Sequence, residues 1–274
     1  MHLMPAKPSP PVAGRVIVTR PQPQADDWAR RLGSLGADAI ALPLLRIDAD
    51  AAFAPAVQQC WRTLTAGSLV MFVSPNAVVS FFAHRPVGVS WPCDVLAAAT
   101  GPGTAAALQG HGVPAGLILS PSADAERFDA ECLWADVLSR QAWAGRTVWV
   151  VRGETGRDWL ADTLRAAGAT LHLLTAYRQL PPTWNELAEQ QLADVANAPM
   201  RHAWLFSSSR AVEYLADHVG GAAAWPALRA VPALATHPRI ADSAREAGFN
   251  AVHAVRPDPA AVTELVHGLW GRRR

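Results

Sequence analysis

The chain is 274 residues long, half of them apolar, with a formal net charge of +1. That length suits about two domains, and the near-neutral charge excludes the basic footprint of a nucleic-acid binder or a membrane-surface protein. Three cysteines, Cys60, Cys93 and Cys132, are widely spaced and form no CxxC pair, so neither a disulfide framework nor a zinc site is expected.

The apolar neighbours of all three cysteines point to buried thiols. No apolar run reaches the roughly 18 residues of a membrane span. The first 14 residues carry prolines and no apolar core, and read as a flexible lead-in rather than a signal peptide. A soluble, cytoplasmic protein is the expectation.

After the lead-in, a strand at 15–19 runs into Arg20-Pro21, and a helix is predicted over 24–35. A strand at 38–42 is interrupted by Pro43, and 44–48 reads as a linker. Helix 51–66 and strand 68–73 lead to Ser74-Pro75-Asn76, a hydroxyl N-cap followed by proline at the first helical position. Strand 95–100 meets Gly101-Pro102-Gly103-Thr104 and helix 104–110. A strand at 115–119 and a long helix at 125–143 complete this half. The apolar run 148–151 then ends in Arg152-Gly153-Glu154-Thr155-Gly156. A helical pattern on Trp159, Leu160, Thr163, Leu164 and Ala167 closes at Gly168. A strand at 171–176 exits through Tyr177 and Arg178. Beyond Pro181-Pro182, helix 183–197, strand 202–206, helix 210–218, strand 231–235, helix 239–247, strand 250–255 and helix 259–271 follow. Strict alternation of short apolar strands with helices predicts parallel sheets covered on both faces.

The pattern is duplicated. Val16, Val18, Arg20, Gly36 and Ala37 line up with Val148, Val150, Arg152, Gly168 and Ala169 at an offset of 132 residues, and Asp27-Trp28 falls one residue out of step on Asp158-Trp159. The stretch 72–78 matches 206–212, and 99–105 matches 235–241. Four blocks in one order read as two copies of one α/β unit.

Metal and nucleophile patterns are absent: there is no HExxH, GxSxG or P-loop. The GxGxxA run at 101–106, with Asp124 beyond it, imitates a dinucleotide loop. It falls in a later turn of the unit, and its duplicate His237-Pro238-Arg239 has no glycine.

What recurs is a set of strand-end loops with hydroxyls and helix N-termini, which attract carboxylates. They carry Arg20, Ser74, Asn76, Gly103, Thr104, Arg152, Glu154, Ser208, Ser209, Thr236 and Arg239. Each hydroxyl, taken singly, reads first as a helix cap, and each arginine also as half of a surface ion pair. Tyr177 lacks a counterpart, since Tyr177-Arg178 falls on Leu45-Arg46. It is either a packing residue or a proton donor at a cleft.

The segments VTRP at 18–21, FVSPNAV at 72–78, TGPGTAAAL at 100–108, VRGETGRDWLADTL at 151–164, TAYR at 175–178 and FSSSRAV at 206–212 together resemble uroporphyrinogen-III synthases. The resemblance implies an α/β protein of two flavodoxin-like domains with parallel sheets, joined by a two-stranded linker. Residues 15–43 plus 180–274 would form one domain and 49–173 the other, with linkers at 44–48 and 174–179. It implies closure of hydroxymethylbilane, a linear tetrapyrrole with eight carboxylates, to uroporphyrinogen III, with ring-D inversion, loss of water and no cofactor. Tyr177 matches the family's candidate acid, and Ser74, Thr104 and Ser208 match its cleft hydroxyls. The loop at 237–240 departs from the family's Gly-Pro-x-Thr, leaving Arg239 as a substitute carboxylate partner. A transient contact with the preceding pathway enzyme is also implied. The competing expectation is a non-catalytic binder of a polycarboxylate small molecule.

Overall fold

A computed structural model describes residues 14–122, 124–125 and 127–271. Apart from Gly14, the expected lead-in lies outside the described residues. Strand β1 (Arg15–Val18), helix α1 (Gln24–Ser34) and β2 (Ala39–Ala41) open the chain, followed by β3 (Arg46–Asp48) and α2 (Ala54–Thr63). Then come β4 (Leu69–Phe72), α3 (Pro75–Ala83), β5 (Leu96–Ala99), α4 (Pro102–Gly110) and the short β6 (Ile118–Leu119). Helix α5 (Ala130–Asp136), β7 (Thr147–Gly153), α6 (Trp159–Ala166) and β8 (Thr170–Leu180) complete the middle of the chain. The last part holds α7 (Glu186–Asn197), β9 (His202–Phe206), α8 (Ser209–Val219) and α9 (Trp225–Ala230). It ends with β10 (Ala233–Ala235), α10 (Pro238–Glu246), β11 (Val252–Ala254) and α11 (Pro259–Gly271).

Two compact units result. The described residues within Met1–Arg46 and Pro181–Arg274 form one, and Ile47–Leu180 the other. In the first, the sheet order is β11-β10-β9-β1-β2, with β1 parallel to both β2 and β9. Renumbered within the unit this is 2-1-3-4-5, the doubly wound order whose connections diverge between its first and third strands. In the second, the order is β3-β8-β7-β4-β5-β6, with β7 parallel to β8 and β4. Taking β7 as the first strand gives the same 2-1-3-4-5 series with β3 added at the edge. The divergence there falls between β7 and β4. Both sheets therefore place their switch point beside a duplicated arginine strand.

The central strands are apolar without alternation because both faces are covered. Val16, Ile17 and Val18 of β1 are buried, as is all of β4. One face of the second sheet carries an aromatic cluster in which Trp61 stacks on Phe81 at 4.8 Å and meets Trp91 edge-on at 5.7 Å. Such pairs add roughly 0.5–1.5 kcal/mol each beyond burial.

Several sequence expectations are corrected. The long helix predicted over 125–143 is only α5: Asp129 caps its start by accepting from the Cys132 N–H at 2.8 Å. After Asp136 the backbone leaves helical geometry at Val137, and a 3-10 turn, Leu138–Arg140, follows. The strand predicted at 115–119 is a 3-10 turn, Ala115–Leu117, leading into β6. Only Cys60 is buried, whereas Cys93 is exposed and Cys132 half-buried. Helix α9 had no sequence signal strong enough to place it. Strand β8 does not stop before Tyr177 but runs 11 residues to Leu180.

Candidate active site

In the second unit the site is built at the carboxyl ends of β7, β4 and β5. Strand β4 ends at Phe72, and Ser74 turns the chain into α3. Its extended backbone and its hydroxyl, which accepts from the Ala77 N–H at 3.2 Å, make it the N-cap that the Ser-Pro-Asn run predicts. Next door, α4 starts after Gly101. The Cβ position of Gly103 lies 3.7 Å from the Pro75 ring, so the two helix N-termini adjoin. Thr104 is buried, its hydroxyl 3.5 Å from that of Thr100, which donates to the Val73 carbonyl at 3.2 Å.

Tyr177 reaches this set from β8. The β7–β8 register runs Arg152 opposite Thr175, then jumps so that Gly153 faces Tyr177. The extra residue on β8 is a bulge, which re-aims the side chains after it. Strict alternation would put Ala176 and Tyr177 on opposite faces, yet both belong to the aromatic core cluster. The Tyr177 ring is 4 % exposed, and its hydroxyl shares a hydrogen bond with Ser74 Oγ at 3.1 Å. Burial pushes the phenol above its usual pKa, while the Ser74 hydrogen bond and the Arg152 charge pull the other way.

Arg152 is itself buried and ion-paired with Asp158. Glu154 is exposed, and its N–H donates to the Tyr177 carbonyl at 2.9 Å, extending the ladder past the bulge. Arg178 points elsewhere: its guanidinium donates to Asp48 at 2.7 Å and Asp50 at 3.1 Å, which clips β8 to the edge strand and raises the arginine's pKa.

In the first unit the counterpart ends belong to β1, β9 and β10. Thr19 spends its hydroxyl on the Leu205 carbonyl at 2.8 Å. Arg20 follows with its guanidinium 4.3 Å from the centre of the Trp28 ring, and its Nε is buried without a hydrogen-bond partner. Burial first, and then the charge of Arg31, push its pKa down to about 10. Ser208 is the N-cap of α8 but makes no capping hydrogen bond with its side chain, and Ser209 begins the helix. Thr236 donates its N–H to the Phe206 carbonyl at 3.1 Å. Where the resemblance leads one to expect a glycine, His237 caps α10, its Nδ1 accepting from the Arg239 N–H at 3.2 Å. The Arg239 side chain is exposed.

The structure thus gathers Ser74, Asn76, Gly103, Arg152, Glu154 and Tyr177 around the strand ends of one unit, with Thr104 turned into its core. Arg20, Ser208, Ser209, Thr236 and Arg239 lie at the strand ends of the other. Two contributors escaped the sequence reading: Trp28, the platform under Arg20, and Asp158, the partner of Arg152. The paired Asp-Trp dipeptides of the duplication held that signal. Among the described residues no group of His, Cys, Asp and Glu is arranged to hold a metal ion. No described helix is long and apolar enough to cross a membrane.

Two parallel sheets, each with a duplicated arginine and helix N-termini at its switch point, define a doubly wound α/β protein with its polar side chains gathered at the strand ends. A family model described as Uroporphyrinogen-III synthase HemD matches residues 26–264. The chain belongs to the uroporphyrinogen-III synthase family. It is 32% identical over 167 residues to the uroporphyrinogen-III synthase of Salmonella typhimurium, covering 60% of this chain and 64% of that protein. It is 29% identical over 174 residues to that of Chlorobaculum parvum, covering 61% and 65%. The matched stretch therefore spans just under two thirds of either relative. In fold, it resembles a mutant uroporphyrinogen III synthase of the extreme thermophile Thermus thermophilus (TM-score 0.58, 17% identity, 95% of this chain and 100% of the other). It also resembles the Helicobacter pylori protein (TM-score 0.52, 14% identity, 93% and 99%).

Proposed function

We propose that this protein is a lyase that closes hydroxymethylbilane to uroporphyrinogen III with loss of water and inversion of ring D. The observation that carries the reading is the buried phenol of Tyr177 hydrogen-bonded to Ser74 at 3.1 Å, on a chain of this family. The reaction asks for one proton and much positioning. As the substrate hydroxyl leaves, its C–O bond breaks, the pyrrole lone pair supplies the electrons, and a proton completes the departing water. Tyr177 holds such a proton across neutral pH, because burial raises its pKa. The same shift makes it a weak acid, so its contribution falls toward the low end of general acid catalysis.

Binding falls to groups suited to carboxylates. Arg20, half-buried and without an ion pair among the described residues, is the strongest candidate anchor, and Arg152 keeps Asp158 as its partner. Ser74, Asn76, Gly103, Ser208, Ser209, Thr236 and Arg239 supply helix N-termini and polar atoms at strand ends, whereas the exposed carboxylate of Glu154 repels that charge and suits the substrate's pyrrole N–H groups instead. On this reading the two compact units serve as the domains, the reaction belongs to the cytoplasm, and the substrate passes from its producing enzyme through transient contact.

The test is incubation of the purified protein with freshly made hydroxymethylbilane, resolving uroporphyrinogen isomers I and III. Isomer III as the main product supports the reading. The isomer I ratio of an enzyme-free control overturns it and leaves a polycarboxylate binder.

A further inference from the structure

A proton donor must be held in place, and the phenol of Tyr177 is held against Ser74 at 3.1 Å. The bulge brings Tyr177 opposite Gly153 at the end of β7. A Cβ built on Gly153 would lie 3.0 Å from Tyr177 Cε2, 3.1 Å from Cζ and 3.4 Å from the hydroxyl oxygen. The phenol end of the ring therefore rests against a bare backbone, at a distance that a Cβ rarely tolerates.

The ring has little room to retreat. It is 4 % exposed and embedded in the cluster of Phe72, Phe81, Trp61 and Leu174. Its backbone is also held, because the Glu154 N–H donates to the Tyr177 carbonyl at 2.9 Å. With the main chain fixed and the interior close-packed, a methyl group at 153 is relieved mainly by swinging the phenol end of the ring. That end carries the hydroxyl, and a few tenths of an ångström are enough to stretch a 3.1 Å contact out of hydrogen-bonding range.

From this geometry we infer that Gly153 is a positioning residue: its missing side chain is the seat that aims the Tyr177 hydroxyl at Ser74. The inference rests on the proposed role of Tyr177 for its effect on turnover, but not for its effect on the phenol itself.

The experiment uses the full-length protein labelled with ¹³Cζ-tyrosine. The chain has only two tyrosines, Tyr177 and Tyr214, so Tyr177→Phe assigns both resonances. Gly153→Ala is expected to move the Tyr177 resonance and leave that of Tyr214 in place. Its turnover is expected to fall by about the same factor as in Tyr177→Phe, with KM little changed. In the Gly153→Ala/Tyr177→Phe double variant, no further loss in turnover is expected. An unmoved Tyr177 resonance overturns the inference, whatever the activity. If Tyr177→Phe keeps the full rate while Gly153→Ala still moves the resonance, the acid assignment fails and the seat stands. Should Gly153→Ala not fold, Gly153→Ala/Tyr177→Leu removes the ring it clashes with. Recovery of the fold there supports the seat, and failure to recover it overturns the inference.

Discussion

Ser74 and Tyr177, 103 residues apart in the chain, share one hydrogen bond of 3.1 Å, and the same Ser74 oxygen caps α3 by accepting from Ala77. One hydroxyl thus serves a helix terminus and a phenol. Ser74→Ala is expected to remove both. Loss of an N-cap costs about 1 kcal/mol, and an unsatisfied buried phenol about 1–3 kcal/mol more where water does not replace the serine. Urea denaturation should show a drop of roughly 1–4 kcal/mol, while Ser74→Thr, which keeps the oxygen, should lose well under half of it.

Tyr177→Phe keeps the ring and its place in the aromatic cluster. General acid catalysis is typically worth about 10²- to 10⁴-fold, and two features pull the expected loss to or below the lower end. The phenol is a weakened acid through burial, and in the proposed reaction the leaving group would depart from an electron-rich pyrrole. Isomer III should remain the main product, since ring inversion depends on the shape around the substrate. Single-turnover assays with isomer analysis decide this. A wild-type rate across the active pH range would mark the phenol as packing alone.

The pH dependence has a definite sign. The folded phenol titrates above the ordinary tyrosine value of about 10. Below pH 10 it is protonated in folded and unfolded chains alike, so the ratio of wild-type to Tyr177→Phe rates should be flat from pH 6 to about 9. Its contribution to stability is fully present below about pH 10 and declines as pH rises through the folded value, because the unfolded chain loses the proton first. Paired pH–rate profiles of the two proteins test the first statement. Alkaline denaturation midpoints, lower in the wild type relative to the variant than at neutral pH, test the second.

Most strands, most helices and the Ser74 cap were legible in the sequence because each is local. Leu69–Phe72 is an unbroken apolar run, and Ser-Pro-Asn carries its own capping chemistry. The duplication also located Arg20 and Arg152 at matching strand ends. What could not be read was anything set by register or by partners distant in sequence. The bulge that turns Tyr177 into the core is a mismatch between two strands, invisible in either alone. Thr104 offered a hydroxyl on a helix N-terminus, yet tertiary packing turns it inward to Thr100. The helix expected over 125–143 had suitable apolar residues throughout, but Asp129 is a better cap than an interior residue, and the helix starts there.

Arg20 and Arg152 occupy equivalent positions in the duplication but have different partners, a ring face and a carboxylate, which yields the last prediction. Arg152 meets the carboxylate of Asp158, while the neighbouring Trp159 is 40% exposed. At the other strand end Trp28 is 8% exposed and lies under Arg20, whose buried Nε has no partner. A ring face attracts a cation by roughly 0.5–2 kcal/mol, but it does not cancel the charge. Burial accordingly drives the Arg20 pKa down to about 10. Folding therefore holds this charge at a cost, and a bound carboxylate would offset it. Arg20→Met keeps an unbranched apolar chain over Trp28. Its folding stability is expected to stay within about 1 kcal/mol of wild type, since lost ring attraction and relieved desolvation oppose each other. A lost charge-assisted contact to substrate is worth about 1.5–3 kcal/mol, so KM should rise roughly 10- to 100-fold with kcat changed much less. Arg152→Met should do the reverse. It strips the favourable charge beside the Tyr177 phenol, so kcat should fall, and KM should move less than in Arg20→Met. Steady-state kinetics and urea denaturation on the two variants check both halves. Equal KM effects from the two substitutions would show that Arg20 is no better placed for a carboxylate than its paired twin.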